Sequence, residues 1–371
     1  MLLASFLSSF PHRHMRRTAT RLGGLAVCLA LLFSVSSAHA QVPSTDPQDL
    51  ESLDELSAAL QVMGDQYADL YVQPVTDAMG SGMNAGLFRT ADVSGGLLPG
   101  VNLYLGLSVS GALMASSDKA FPADFEQSFA GPEERTYTLR VQGNAESLPT
   151  AFGDTAPPDA RLVIEDEATG VEIGQALLPP GLVDTPVAPL LVPQAGIGSL
   201  FGTDVQVRYL PETRIYEYGT VGLFGIAVRH SISQYIPLSP LELSVQGAYN
   251  EMSLGTSTIS TGTEEVSDVL DASGWAVNLQ ASKGLPVLPV TFYGGLQYET
   301  FDVEYSYVFD PSSTEGGAFA PGPVRLTLDQ SAANQFRGIA GVSITLAIVR
   351  LNVDYALAAN DAVTFGLGVR L

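Results

Sequence analysis

The strongest constraint in this sequence is a two-residue alternation that recurs in long runs from residue 101 to the C-terminus. Val101, Leu103, Leu105, Leu107 and Val109 alternate with Asn102, Tyr104, Gly106, Ser108 and Ser110. Trp275, Val277, Leu279 and Ala281 alternate with Ala276, Asn278, Gln280 and Ser282, and the chain ends on Val363, Phe365, Leu367, Val369 and Leu371 set against Thr364, Gly366, Gly368 and Arg370. Successive side chains of a strand point to opposite faces, so each run is a strand with one greasy and one polar or small face. Ordinary strands hold about five or six residues, whereas a tilted strand crossing a membrane needs ~9–11. These runs are longer than the first value and fit the second. The alternative is a soluble β-fold, in which the same aliphatics would pack against one another in a dry interior.

The expectation is an all-β chain: an antiparallel transmembrane β-barrel of 10–14 strands with an N-terminal amphipathic helix. The predicted strands are 101–115, 187–198, 203–209, 215–230, 240–252, 272–283, 288–303, 335–347, 349–358 and 361–371. Residues 116–186 read either as one folded outer loop or as a further strand pair at 135–142 and 160–166. Connection lengths support a barrel, which carries short periplasmic turns and long outer loops. The links near 231–239, 284–289 and 347–348 are short and fall at one end. Residues 253–271 and 304–334 are long, polar and acidic, and fall at the other. Link 358–361 is short yet belongs to the outer set. Tyr209, Tyr216, Tyr218, Tyr249, Trp275, Tyr298 and Phe301 lie near outer strand ends, where an interfacial aromatic belt belongs.

Residues 1–40 read as a signal peptide. Met15-Arg16-Arg17 and Arg21 supply the charged part, Leu25 to Val35 the apolar part, and Ala38-His39-Ala40 a small-x-small cleavage site. Residues 1–14 fit no such leader, which points to Met15 as the true start. Cys28 follows Val27 inside the apolar run, a poor match to a lipoprotein site. After Gln41 no run is apolar for long enough to span as a helix. Residues 41–90 form the next unit. Leu50, Leu53, Leu56, Leu60, Met63, Tyr67 and Leu70 share one helical face, and the helix is expected to stop before Pro74. A stretch with Gly80, Gly82 and Gly86 follows. Helix and Gly-rich tail together read as a plug for a barrel formed by residues 91–371.

Several local patterns resemble a known family: Tyr71-x-x-Pro74, Gly82-x-Asn84-x-Gly86 and Thr90-Ala91; Pro193-Gln194-x-Gly196-x-Gly198 with Gly202-Thr203-Asp204; Gly274-Trp275; Tyr293-Gly294-Gly295; and Phe336-Arg337, Asp354-Tyr355 and Gly366-Leu367-Gly368. They are similar to an uncharacterised family of exported bacterial proteins predicted to form outer-membrane β-barrels. The likeness covers most of residues 65–371. It implies a fold and the cell outer membrane as location, and no chemistry. The chain departs from many outer-membrane proteins in ending on Leu371 rather than an aromatic residue.

Composition narrows the chemistry. Past residue 40 the chain holds 13 Lys and Arg against 39 Asp and Glu, a net charge of −26. So acidic a surface excludes nucleic acid as a partner. It suits a chain kept hydrated in concentrated salt, the reading for a halophilic host. His230 is the one histidine and no cysteine remains after residue 40, so neither a multi-histidine nor a thiolate metal site can form. A hydrolase would have to use His230, and no G-x-S-x-G elbow is present. Gly196-x-Gly198-x-x-x-Gly202 has the wrong spacing and context for a nucleotide loop. Glu165-Asp166-Glu167 and Glu264-Glu265 lack the spacing of a calcium loop and read as solvated charge.

What remains is the lumen. The polar strand faces contribute Glu242, Gln246, Asn278, Gln280, Gln297, Glu299, Arg337, Asn352, Asp354 and Arg370 as candidate lumen-lining residues. Arg350 and Asp354, four apart on one face, are expected to pair. The expected protein is non-enzymatic and cofactor-free, a passive channel or transporter for small solutes, apolar ones included, with a helical plug. Its partners would be outer-membrane lipid and those solutes. The alternative is a structural barrel whose acidic loops bind an unidentified envelope or secretion partner.

Overall fold

A computed structural model describes residues 53–93, 102–124, 126–130, 135–178, 180–214, 220–255, 269–309 and 324–371. The leader, Leu50, Tyr216, Tyr218 and the Glu264-Glu265 pair lie outside these residues. Helix α1 (Leu53–Met83) comes first. Strand β1 (Asn102–Leu113) follows, then six short strands: β2 (Ala120–Pro122), β3 (Glu126–Ala130), β4 (Thr136–Gly143), β5 (Ser147–Pro149), β6 (Ala160–Asp166) and β7 (Glu172–Leu177). The long strands are β8 (Val187–Leu200), β9 (Thr203–Arg214), β10 (Thr220–Ser231), β11 (Glu242–Gly255), β12 (Val269–Gly284) and β13 (Val290–Phe309). The chain ends with β14 (Val324–Ser331), β15 (Phe336–Leu346), β16 (Val349–Leu357) and β17 (Ala362–Arg370).

Strands β1, β8 to β13 and β15 to β17 make a closed antiparallel barrel of ten strands. Closure rests on β1, which pairs with β8 on one side and with β17 on the other, from Tyr104↔Arg370 to Ala112↔Ala362. Strand β13 is long enough for two partners. It pairs with β15 over Val290–Tyr298 and with β14 over Asp302–Phe309. The connections after β8, β10, β12 and β15 lie at one end, hereafter the turn end, while the short link 358–361 between β16 and β17 lies at the other, the loop end. At the turn end Phe201 and Gly202, both at positive φ, join Leu200 to Thr203 in a two-residue hairpin, and Leu346 and Val349 flank the equally short 347–348 link.

The barrel is inside out. Leu105, Leu279, Leu296, Phe292, Leu351 and Phe365 are exposed on its outer face, while Gln246, Asn278, Gln297 and Arg337 are buried inside. Of the expected aromatic belt, Tyr209, Tyr249, Trp275 and Tyr298 face outward. Trp275, Tyr298 and Phe336 form a continuous strip with ring centroids 5.4 and 5.0 Å apart. Phe301 is a correction: it points inward and is buried. It has the parity of Gln297 and Glu299 on β13, and Gly80 of the helix and Gly274 of the next strand leave room for its ring.

The described residues of 116–186 supply no barrel strand. They fold at the loop end into a β2–β5 pair and a four-stranded sheet ordered β3-β4-β6-β7. Leu139, Leu148 and Val163 are fully buried there. The Asp166 carboxylate accepts the N–H groups of Thr169 and Ala168 in the turn before β7, and these bonds hold its pKa below the usual range.

Helix α1 differs from the sequence expectation. It runs through Pro74 to Met83, and its buried face is Tyr67, Tyr71, Val75, Met79 and Met83. Leu70, expected on that face, is exposed. An internal proline costs about 3 kcal/mol in an isolated helix. Here the half beyond Pro74 is enclosed by the barrel, so tertiary contacts set its end. Thr76 Oγ1 donates to Gln330 and meets the Tyr305 hydroxyl at 2.7 Å, and Ser81 Oγ donates to the Asn360 carbonyl.

One measurement checks the inside-out assignment. Leu296 is 70 % exposed on the outer face of β13, beside Leu279 of β12 and between Phe292 and Tyr298 of its own strand. Leu296→Arg is expected to cost about 2–4 kcal/mol when the barrel is folded into phospholipid vesicles and titrated with denaturant. A cost within about 0.5 kcal/mol, normal for a water-facing site, would contradict it.

Candidate functional site: the plugged lumen

The chain crosses the barrel once before it begins to build the wall. At the loop end, the Tyr67 ring packs against Phe121 at 5.5 Å, Tyr71 donates its hydroxyl to the Pro180 carbonyl, and the Ala151 N–H bonds to Tyr71. The helix then descends. Residues 84–93 continue to the turn end, where the Ala91 N–H bonds to Ser282 Oγ. Thr76, Ser81, Met83, Asn84, Leu87, Phe88, Thr90, Ala91 and Val93 are all buried. The plug is therefore the interior of the barrel rather than a lid upon it.

Three wall arginines hold the plug by its carbonyl groups. Arg208 on β9 donates to the carbonyls of Met83 and Ala85. Arg229 on β10 donates to Thr90, and Arg337 on β15 donates to Ser81 at 3.1 Å. These carbonyls belong to the helix C-terminus and the irregular segment after it, where intrahelical partners run out. Asn84 is gripped three ways: its carbonyl accepts from Gln297, its Oδ1 accepts from Asn250, and its Nδ2 donates to the Thr300 carbonyl. Gly86 sits at φ +70°, and a Cβ there would stand 2.2 Å from Ser108 Oγ. Only glycine lets the plug turn this close to β1. Below it, Leu87 and Phe88 pack on Ala227, Ala248 and Ala276, small residues side by side on β10, β11 and β12.

The wall is a hydrogen-bonded polar layer. Asp204, Arg229, Gln246, Asn278, Gln297 and Arg337 are consecutive cross-strand neighbours from β9 to β15. Asn278 donates to Gln246 and Gln297, and Gln280 donates to Gln246 and Asn278. Glu299 pairs with Arg337 at 2.6 Å, both fully buried, and also accepts from Gln297. Asp354 accepts the Tyr293 hydroxyl at 2.7 Å. Arg229 grips Asp204 through two nitrogens.

The residues singled out from sequence fall into three groups. Gln246, Asn278, Gln280, Gln297, Glu299 and Arg337 are brought together in the layer just described. Asn352 and Asp354 lie on the far wall around Tyr293. Arg370 stands at the turn-end mouth, donating to Asn102. Glu242 is a correction. It is the first residue of β11 and is exposed, because the strand begins at the rim and its first polar position meets solvent. The expected Arg350–Asp354 pair is another. Four residues along a strand span ~13 Å, and Arg350 instead donates to Thr345. Sequence reasoning passed over Arg89, Gln194, Asp204, Gln206, Arg208 and Arg229. The wall members Asp204, Gln206 and Arg208 carried a usable signal, their shared parity on β9 opposite Val205 and Val207.

His230 lies at the turn end on the outer side of β10. Its ring nitrogens meet Thr203 Oγ1 at 2.8 Å and the Tyr235 hydroxyl and Gln234 Nε2 at 2.9 Å, none of them a carboxylate.

A closed ten-strand antiparallel barrel with an apolar exterior and a polar interior filled by its own N-terminal segment is a barrel of the outer-membrane type. The chain belongs to a family of unknown function, DUF6588, whose profile matches residues 18–371. No functionally curated protein matches it. Among solved structures it is similar to the translocator domain of the autotransporter NalP from Neisseria meningitidis, at 11 % identity and a TM-score of 0.25, covering 91 % of this chain and 100 % of that one. The transport unit of the autotransporter AIDA-I from Escherichia coli follows at 10 % identity and 0.29, covering 81 % and 97 %. The CymD monoaromatic hydrocarbon channel matches at 8 % and 0.21, covering 79 % and 94 %. Nothing about substrate or partner passes from these barrels to this chain.

The Glu299–Arg337 pair gives a test of the site. Arg337→Ala leaves a buried carboxylate uncompensated and is expected to cost about 3–5 kcal/mol. The Glu299→Met/Arg337→Met double variant should recover most of that loss in urea unfolding of the detergent-folded barrel. If single and double variants lose equally, the pair is not what Arg337 contributes.

Proposed function

We propose that this protein is an outer-membrane conduit for small hydrophilic solutes, held shut by residues 76–93. The turn end faces the periplasm and the loop end the exterior, in keeping with the rule that outer loops are long. The observation that carries the reading is the chemistry of the plug seat. A purely structural interior does not require such a seat, since replacing buried ion pairs by well-packed apolar residues is often neutral or stabilising. This lumen instead holds its plug through arginine-to-carbonyl and amide bonds, which water can replace one by one. A wall of Gln, Asn and Arg suits hydrated solutes better than apolar ones. A second reading rests on residues 114–186, which fold into sheets of their own and share a core with the outer end of α1. On that reading the sealed barrel anchors a surface unit for a protein partner.

A disulfide lock separates the two. A Cβ at Gly82 would lie 3.2 Å from that of Leu190 on β8, close to disulfide range, and the sequence has no native cysteine after Cys28. In planar bilayers, Gly82→Cys/Leu190→Cys is expected to be silent when oxidised and to regain conductance on reduction. Arg208→Ala should raise the open fraction by more than about tenfold, since it removes two charge-assisted bonds to the plug. Identical traces before and after reduction, with Arg208→Ala silent, would defeat the conduit and leave the anchor.

A further inference from the structure

The turn end of the lumen holds a charge imbalance that neither reading uses. Four guanidinium groups converge there on one cleft: Arg89 from the plug, Arg229 from β10, Arg350 from β16 and Arg370 from β17. Two carboxylates share it, Asp92 and Asp204. Arg229 is matched to Asp204 and Arg370 lies 3.8 Å from Asp92. That leaves Arg89 and Arg350. Among the described residues neither has a carboxylate within 4.0 Å, although they are only 5 % and 7 % exposed. Arg89 donates to Gln206 and lies 4.0 Å over the Tyr104 ring, and Arg350 donates its Nε to Thr345. In addition, Arg370 Nη2 is buried with no acceptor among the described residues. Burying an unneutralised charge costs several kcal/mol. A chain with this excess of acid could have supplied more carboxylates here and does not.

We propose that this cleft binds an oxyanion, the carboxylate or phosphate group of a small solute or of a lipid headgroup. The free space, about 20 Å³, takes one water-sized atom. One oxygen of the anion therefore lodges between Arg89 and Arg350, and the rest of the molecule extends through the mouth beside Asp92. Guanidinium forks suit such an oxygen better than they suit a halide, because their N–H groups are fixed in a plane. The bound anion joins the plug, through Arg89, to the wall, through Arg350 and Arg370. It would act as a releasable clasp at the turn end. The site stands on charge and geometry alone and does not require the conduit.

The test uses the full mature barrel folded in detergent, with inorganic phosphate as probe and chloride at matched ionic strength as the comparison. Phosphate is expected to raise Tm by several degrees, with a saturating dose response. Arg89→Gln and Arg350→Gln should each weaken apparent phosphate affinity at least tenfold, whereas Arg140→Gln, in the sheet at the loop end, should leave it unchanged. In chloride, Arg350→Gln should melt no lower than the parent, because it removes an uncompensated charge. Equilibrium dialysis of the unaltered protein against labelled phosphate gives a readout free of folding defects, with one equivalent expected. Acetate competition would mark a carboxylate-accepting site, and displacement at lower concentration by phosphatidylglycerol micelles a lipid headgroup site. Equal Tm in the two salts together with sub-stoichiometric dialysis would overturn the proposal. So would a phosphate shift that survives the Arg89→Gln/Arg350→Gln double variant.

Discussion

The hydrogen-bond seam between β1 and β17 is the contact on which the rest depends. A strand with a free edge cannot stand in hydrocarbon, because each unpaired N–H and C=O costs several kcal/mol there. Ten strands remove the problem only if the last returns to the first, which the register from Tyr104↔Arg370 to Ala112↔Ala362 achieves. Closure also fixes what the side chains can be. Once the ring shuts, one parity of every strand faces outward and must be apolar, and the other faces a bounded interior. That interior then has to be filled by side chains, by water or by another piece of chain. Here a piece of chain fills it, and the seam is built next to where that piece ends, since β1 follows the plug directly in sequence.

The distribution of cations follows from that choice. The plug brings exposed carbonyls into the lumen, from the end of α1 and from the irregular residues after it. Carbonyls need donors, and arginine offers five in a rigid fork without accepting any. Arg208, Arg229 and Arg337 take this role, and Arg89 answers from the plug toward Gln206. Thirteen cations remain after residue 40, and Arg89, Arg208, Arg229, Arg337, Arg350 and Arg370 are all drawn into the barrel, leaving the rest of the chain strongly acidic. The net charge read from sequence is thus a poor guide to the lumen, which has the opposite sign.

The wall was legible in the sequence because long period-two alternation, repeated from strand to strand, has a single geometric meaning. Each of the ten strands expected from it corresponds to a barrel strand, and the sheet order is the simplest one for short turns. Three features were not legible, for separate reasons. Pro74 reads as a helix end under local rules, yet the lumen supplies partners that local rules do not contain. Residues 135–142 and 160–166 are genuine strands, β4 and β6, but strand propensity cannot say which sheet a strand joins. Glu242 has the parity of a lumen residue, and parity says nothing about height along the barrel axis. The plug seat was half visible. Gly82, Asn84 and Gly86 marked where the chain must pass close to something, whereas the matching arginines emerge only once register aligns Arg208 with Gly225 and Asn250.

The plug is tethered at both ends, and this limits how the lumen can open. At the loop end Tyr67 and Tyr71 are packed into the same apolar cluster as Phe121, Leu148 and Phe152. At the turn end, residues 94–101 connect Val93 to β1, a link that reaches about 30 Å at full extension. A cork expelled toward the exterior would have to drag this link up through the lumen. Expulsion toward the turn end would strip the tyrosines from their core, at roughly 1.5–3 kcal/mol for each large apolar side chain exposed. Rearrangement within the lumen costs less. It exchanges arginine-to-carbonyl bonds for water one at a time while both anchors hold. The segment best placed to move is the one between the anchors that has no regular hydrogen bonding of its own, residues 84–93. The cleft of unpaired arginines lies at the lower end of that segment.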